Sequence, residues 1–154
     1  MIDLGKMENV IVKNSKIQGT GVFAQKDFKK SEVILQIDDT YIVTDENALP
    51  EKDKNHCDYL IDKIILMQSL EVYINHSCEP NTYVKTIGGL RYVLTIRDIK
   101  AGEEITYDYA INGYYDGANN ACHCGSKRCR GVINCSFFKL PVAFQKEYLP
   151  YLED

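Results

Sequence analysis

Three cysteines near the C-terminal end of the chain have the spacing of a metal site. Cys122, Cys124 and Cys129 form a Cys-x-Cys-x4-Cys pattern. Thiolates this close together repel one another unless a cation shares their charge, and four sulfurs around Zn²⁺ make a closed tetrahedral site. The pattern therefore predicts structural zinc, rather than three small buried hydrophobic side chains. It supplies only three ligands, and the candidates for the fourth are Cys57, Cys78, Cys135, His76 and His123.

Composition limits the kind of protein and its compartment. The 154 residues suffice for a single core, and no apolar run approaches the roughly 20 residues that span a bilayer. The first residues lack the cationic-then-apolar order of a secretory signal. We therefore expect an intracellular, reducing compartment, cytoplasm or nucleus, where six cysteines favour metal binding over disulfides. The net charge of −4 argues against strong nucleic-acid binding and suits a basic peptide substrate.

Three further segments contain residues that could bind ligands or transfer groups. They are Gly19-Thr20-Gly21 followed by Val22-Phe23-Ala24, then Asn75-His76-Ser77-Cys78-Glu79-Pro80-Asn81, then Gly102-Glu103-Glu104-Ile105-Thr106-Tyr107-Asp108-Tyr109. Each alone is a weak signal. In this order, and followed by the cysteine segment at 122–131, they resemble the SET-domain protein lysine methyltransferases with their zinc-binding post-SET tail. The resemblance covers roughly residues 10 to 133.

The resemblance implies a fold, a domain division and a reaction. The implied fold is mainly β, with small sheets and a pseudoknot in which the Asn75-His76 segment passes through a loop formed near 105–109. The SET domain would occupy residues 8–115, the post-SET zinc segment 116–135, and a C-terminal helical extension 136–154. The implied reaction moves a methyl group from S-adenosylmethionine to a lysine amine of a histone or another basic DNA-associated protein.

The resemblance also implies roles for individual residues. Tyr109 would lie beside the departing methyl, with Tyr107 contributing to catalysis and to the lysine channel. Cys78 would be the fourth zinc ligand. The residues implied in cofactor binding are Gly19, Thr20, Gly21, Tyr59, Asn75, His76 and Tyr109.

Two tyrosines bear on the product. Tyr83 and Tyr107 occupy implied channel positions, where a tyrosine hydroxyl leaves less room than phenylalanine for an already methylated amine. Tyrosine at both positions predicts a bias toward mono-methylation.

Simpler interpretations exist for each residue. The tyrosines suit strands in any case, Gly19 and Gly21 suit a turn, and His76 suits a hydrogen-bonded core position. We expect Glu103-Glu104 to be a solvated turn without a catalytic role. Val72 stands where similar proteins often have arginine, which puts one scaffold contact in doubt.

Two other functions compete with the enzyme. One is a catalytically silent, SET-like peptide-binding module. The other is a zinc-stabilised interaction domain that binds nucleic acid through Lys127, Arg128 and Arg130, although three cations are few for such binding.

The elements that must position these residues are mostly short strands. Gly88-Gly89 between two β-rich runs predicts a hairpin. Residues 45–57 are polar and predict a loop or short helix, and Pro141 to about Tyr148 predicts a helix ended by Pro150, with Phe144, Tyr148 and Leu149 on one face. The runs that predict strands are 10–13, 32–37, 41–43, 59–61, 64–67, 81–86 and 90–96.

Overall fold

The protein is described from a computed structural model, which covers residues 9–60, 62–68, 70–111 and 120–152. Within these residues the regular structure is short strands and one α-helix, α1, Val142–Tyr148. The strands are β1 Val10–Asn14, β2 Thr20–Ala24, β3 Val33–Gln36, β4 Cys57–Tyr59, β5 Ile64–Leu66, β6 Asn75–His76, β7 Thr82–Ile87, β8 Leu90–Thr95, β9 Glu104–Tyr107, β10 Asn120–Ala121 and β11 Val132–Ile133. The predicted mainly-β fold is confirmed. The predicted boundary at 115/116 lies outside the described residues.

A four-stranded sheet, in the order β1-β2-β9-β6, brings together the segments that begin at Gly19, Asn75 and Gly102. β2 runs antiparallel to β9, and β9 runs parallel to β6. Asn75 consequently lies opposite Thr106, and His76 lies opposite Tyr107. A parallel pair cannot be closed by a tight turn, so it joins segments far apart in sequence. This adjacency is the one that the predicted pseudoknot requires.

A second sheet, in the order β3-β8-β7, packs against the first. Gly88 and Gly89 form the hairpin turn between β7 and β8 with φ of +60° and +83°, as the sequence predicts. Val22, Val93 and Ile105 are fully buried between the sheets. Burying each such side chain contributes about 1.5–3 kcal/mol, so this core fixes β9 and the residues that follow it.

The β4–β5 hairpin stands where the sequence predicts two strands, at 59–61 and 64–67. Cys57 to Tyr59 pair with Leu66 to Ile64, so β4 begins earlier than the predicted 59–61 strand, of which Ile61 lies outside the described residues. The predicted 41–43 strand is reduced to one bridge, between Ile42 and Ile65. The segment from 46 to 56 contains two short 3₁₀ turns, in agreement with the predicted loop or short helix.

The C-terminal helix begins after Pro141, as predicted. Phe144 and Tyr148 face inward, whereas Leu149 is 61% exposed, so its predicted place on the same face is wrong. Leu149 lies five residues after Phe144, a spacing that turns it away from that face. Pro150 ends the α-helix by converting it to a 3₁₀ turn, Leu149–Tyr151. Among the described residues, no helix has the length and apolar character needed to cross a membrane.

Candidate functional site

Asn75 fixes the loop that precedes β2. Its amide nitrogen lies 3.1 Å from the Gln18 carbonyl, 2.9 Å from the Thr20 carbonyl and 2.9 Å from Glu104 Oε1. Two of these acceptors belong to the backbone on either side of Gly19. The asparagine of β6 therefore sets the position of the Gly19-Thr20-Gly21 segment.

Glu104 completes this arrangement, and its prediction as part of a solvated turn is wrong. Its carboxylate accepts hydrogen bonds from Ser15 Oγ at 2.8 and 2.9 Å and from Asn75. The carboxylate lies so close to Gly21 that a Cβ there would collide with it. Glycine at position 21 is therefore explained by this close approach, for which there was no signal in the sequence spacing. Glu103, the other half of the predicted turn, does lie at the surface beside Arg97.

Asn81, the last residue of the Asn75–Asn81 segment, joins β7 to β9. Its amide nitrogen donates to the Glu104 carbonyl at 2.8 Å, and its amide oxygen accepts from the Thr106 N–H at 2.9 Å. Thr82 adds a hydroxyl hydrogen bond to the Thr106 carbonyl at 2.7 Å. The buried Asn81 side chain takes the place of a neighbouring strand, so that backbone N–H and C=O groups of β9 have hydrogen-bond partners.

His76 connects the tyrosine segment to the cysteines. The Tyr109 N–H donates to His76 Nδ1 at 3.1 Å, so the ring proton is on Nε2, which lies 3.4 Å from Cys78 Sγ. Burial lowers the pKa of His76 to about 4, which leaves the imidazole neutral. His76 is thus both a buried core residue, the simpler interpretation, and a donor to a candidate metal ligand, as is common for groups around zinc sites.

Tyr107 and Tyr109 lie side by side, with ring centroids 5.5 Å apart. The Tyr109 hydroxyl donates to the Ile74 carbonyl at 2.7 Å, and the Tyr107 hydroxyl donates to the Glu71 carbonyl at 3.2 Å. Burial raises the pKa of both phenols above its usual value, so both remain protonated donors at neutral pH.

Tyr83 has a different environment. Its ring packs against Tyr151 with centroids 4.8 Å apart, in a cluster that also contains Ala110 and α1. Its membership of a lysine channel with Tyr107 stays a prediction.

Cys78, Cys122, Cys124 and Cys129 form a group able to hold a metal ion, their sulfurs all lying within 4.8 Å of one another. The sulfurs of Cys78 and Cys122 are 3.8 Å apart. Zn–S bonds of about 2.3 Å in a tetrahedron place sulfurs about 3.8 Å apart, so the group fits zinc. Burial raises the pKa of Cys78 to about 11, and a bound cation would favour its thiolate form. Among the five candidates for the fourth ligand, the structure brings Cys78 into the group.

A cleft beside this group gathers several of the predicted cofactor residues. Asn75, His76 and Tyr109 line it together with Cys122 and His123. The remaining lining residues are Ile17, Gln18, Ala121 and Ile133. Sequence reasoning missed these four, since none is a residue type with recognisable chemistry. Tyr59 lies on β4 rather than among the lining residues, and its cofactor contact stays a prediction.

The cations after the cysteines are not a free basic patch. The Arg130 side chain is only 6% exposed and binds Asp108, and Arg128 pairs with Glu147 at 2.7 Å. Arg128 and Arg130 are thus engaged in ion pairs, whereas the competing nucleic-acid interpretation required them to be available to a partner. Sequence reasoning also missed Asp108, although its place between Tyr107 and Tyr109 was a usable signal.

Comparisons with known proteins identify the family. The family model for the SET domain matches residues 19–110, more than half of the chain. Histone-lysine N-methyltransferase trr of Drosophila melanogaster is 34% identical over 140 residues, which is 82% of this chain and 6% of that protein. Human histone-lysine N-methyltransferase 2D is 30% identical over 141 residues, again 82% of this chain but 2% of that protein.

A solved structure gives the same result for the fold. A humanized mutant of the Chaetomium thermophilum Polycomb Repressive Complex 2 bound to the inhibitor GSK126 superposes with a TM-score of 0.56 and 26% identity, over 68% of this chain and 15% of that one. This chain therefore corresponds to a small part of each of these relatives. With the family model covering most of the sheet framework, the chain belongs to the SET-domain family.

Proposed function

We propose that this chain is an S-adenosylmethionine-dependent protein-lysine N-methyltransferase. The observation that carries the proposal is a cleft whose lining includes Asn75, His76 and Tyr109 together with Cys122 of the cysteine segment. Relatives named as histone-lysine N-methyltransferases support the reaction type.

The chemistry requires a neutral amine near a methyl sulfonium. A free lysine has a pKa of about 10.4, so the ammonium must lose a proton before its nitrogen can attack. An apolar channel facing a cation lowers that pKa by desolvation and charge repulsion. The N–C bond then forms as the S–C bond breaks, the electron pair stays on sulfur, and S-adenosylhomocysteine leaves. Alignment alone can supply several kcal/mol of barrier reduction.

The residues would divide this work between binding and orientation. The Tyr109 hydroxyl, held on the Ile74 carbonyl, would lie beside the transferred methyl. Asn75, His76 and the Gly19-Thr20-Gly21 segment would bind the cofactor, with Tyr59 as a further contact. Zn²⁺ on the four cysteines would have a structural role, because four sulfur ligands leave no open position for substrate.

The proposed substrate is a histone or another basic DNA-associated protein, and the proposed compartment is the nucleus or cytoplasm. The net charge of −4 suits a basic partner through electrostatic steering. We also propose a bias toward mono-methylation. The Tyr107 hydroxyl supports it, because its hydrogen bond to the Glu71 carbonyl holds a polar atom in the buried wall.

The test is methyl transfer from labelled S-adenosylmethionine to core histones and to a lysate of basic proteins. We expect label on lysine, mapped by mass spectrometry, with mono-methyl-lysine as the main product. Label that is absent while calorimetry detects cofactor binding would favour the catalytically silent module instead. Absence of both label and cofactor binding would contradict the proposal.

A further inference from the structure

We propose that Tyr148 of the C-terminal helix is a positioning residue for the methyl-transfer site, acting on Tyr109 through the carboxylate of Asp108. The inference rests on the proposed function for its kinetic consequence. Its structural part, that the helix holds the segment carrying Tyr109, can be measured without any turnover.

Asp108 stands between Tyr107 and Tyr109 in the sequence and is fully buried. Its carboxylate accepts hydrogen bonds from three residues. Arg130 donates to Oδ2 at 2.7 Å and to Oδ1 at 3.1 Å. The Ala110 N–H donates to Oδ1 at 3.0 Å, and the Tyr148 hydroxyl donates to Oδ2 at 2.8 Å. A buried carboxylate needs such partners, because losing one leaves charge in a medium of low polarity.

The position of Tyr109 depends directly on that of Asp108, because the two residues are adjacent in the chain. Peptide bonds are planar, so few soft dihedral angles separate the two side chains. The Tyr109 N–H donates to His76 Nδ1, and its hydroxyl donates to the Ile74 carbonyl. Both hydrogen bonds of Tyr109 require the backbone dihedral angles at Asp108 to keep their values.

The helix supplies more than the hydroxyl of Tyr148. Phe144, one turn earlier, places its ring 4.7 Å from the Arg130 guanidinium, which favours the arginine orientation that binds Asp108. The Tyr148 hydroxyl also lies 3.5 Å from the carbonyl of Cys78, a candidate zinc ligand. α1 therefore contacts the Asn75–Asn81 segment through Cys78 and the segment that carries Tyr109 through Asp108.

The Tyr148 hydroxyl is suited to a permanent donor role. The side chain is 4% exposed. Its burial, and to a lesser extent the negative charge of the adjacent Asp108, raise the pKa of the Tyr148 phenol well above its usual value. It keeps its proton throughout the working pH range. Replacing tyrosine with phenylalanine removes this donor while leaving the ring that packs beside Phe144.

The test uses the full, zinc-loaded chain and compares Tyr148→Phe with Tyr41→Phe, a control at a 47% exposed tyrosine. Hydrogen exchange of the Tyr109 and Ala110 amides is followed by NMR, and kcat and KM for S-adenosylmethionine are measured in parallel. In Tyr148→Phe we expect both amides to exchange about tenfold faster and kcat to fall about tenfold with KM unchanged, from the loss of one hydrogen bond to a charged group. The control should match wild type.

Arg130→Lys provides a second perturbation of the same carboxylate, since lysine cannot make the two-point contact. We expect this variant also to increase the hydrogen-exchange rates of the Tyr109 and Ala110 amides. Unchanged exchange of both amides in Tyr148→Phe would overturn the inference, and so would a rise in KM with kcat unchanged. A wild-type protein that transfers no methyl would contradict the proposed function, while the exchange comparison would still decide whether Tyr148 holds Asp108.

Discussion

At the scale of single residues, the partners of a side chain decide its role more than its type does. Glu103 and Glu104 are neighbours with the same chemistry, yet one contacts Arg97 at the surface and the other joins Ser15 to Asn75. The sequence could predict that Asn75 and His76 lie together at the cleft, because the order of the motifs is specific. It could not predict Glu104, since nothing local distinguishes it from its neighbour.

Replacing Glu104 with Gln should weaken cofactor binding. The amide removes the negative charge that accepts from Ser15 and Asn75, so the loop around Gly19 loses its fixed position. Hydrogen bonds to a charged group contribute about 1.5–3 kcal/mol, and we expect the dissociation constant for S-adenosylmethionine to rise about tenfold by calorimetry. Glu103→Gln is the matched control and should bind as wild type does. Equal affinities of the two variants for S-adenosylmethionine would contradict a role of Glu104 in cofactor binding.

Replacing Tyr107 with Phe should change the product. The variant loses the hydroxyl that donates to the Glu71 carbonyl, which enlarges the polar end of the proposed channel. We expect di- and tri-methyl-lysine to increase relative to mono-methyl-lysine in mass spectra under single-encounter conditions. A product distribution identical to that of wild type would argue against the mono-methylation bias.

At the scale of elements, long-range pairing and buried ions set the geometry of the site. The β7–β8 hairpin and α1 could be predicted, because turn glycines and Pro141 are local signals. The parallel β6–β9 pair could not be derived from local pattern, since its members are 28 to 32 residues apart in sequence and very short. Strands were predicted at 59–61 and 64–67, and the observed β4 begins two residues before the first of these.

Arg91 holds the β4–β5 hairpin to the second sheet. Its buried guanidinium binds Asp39 at 2.9 and 2.6 Å and Asp58 at 2.6 Å. Breaking a buried ion pair costs about 3–5 kcal/mol, so Arg91→Met should lower the free energy of unfolding by about that much in urea titrations. Arg97→Lys, at a pair whose arginine is 52% exposed, should change it by less than about 1 kcal/mol. A stability loss no larger at Arg91 than at Arg97 would contradict this assignment.

The zinc segment should depend on its four cysteines. Cys122→Ser removes one of the four sulfurs, and we expect metal analysis to find little zinc and the β10–β11 pair to lose amide protection. Cofactor binding should weaken with it, because Ala121, Cys122 and His123 all line the cleft. Cys57→Ser is the control, since that thiol lies in the β4–β5 hairpin away from the group. Zinc retained at wild-type level in Cys122→Ser would contradict the site.

At the scale of the whole molecule, segments from distant parts of the chain meet at one cleft. β6 provides Asn75 and His76, the segment after β9 provides Tyr109, the cysteine segment provides Cys122, and Tyr148 of α1 donates to Asp108. Family membership, and the grouping of Cys78 with Cys122, Cys124 and Cys129, could be predicted because motif order is specific. The buried Asp108–Arg130–Tyr148 network could not, because it joins residues 22 and 40 positions apart that no motif links.

The most direct test of the central claim is the single-turnover rate of methyl transfer to a mapped substrate lysine, compared between wild type and Tyr109→Phe. Dissociation constants for S-adenosylmethionine are measured on the same samples. We predict that the substitution lowers the rate by at least about a hundredfold, as expected for a group that orients the reacting atoms, while the affinity for the cofactor changes little. Equal rates for the two proteins would contradict the assignment of this cleft as the methyl-transfer site.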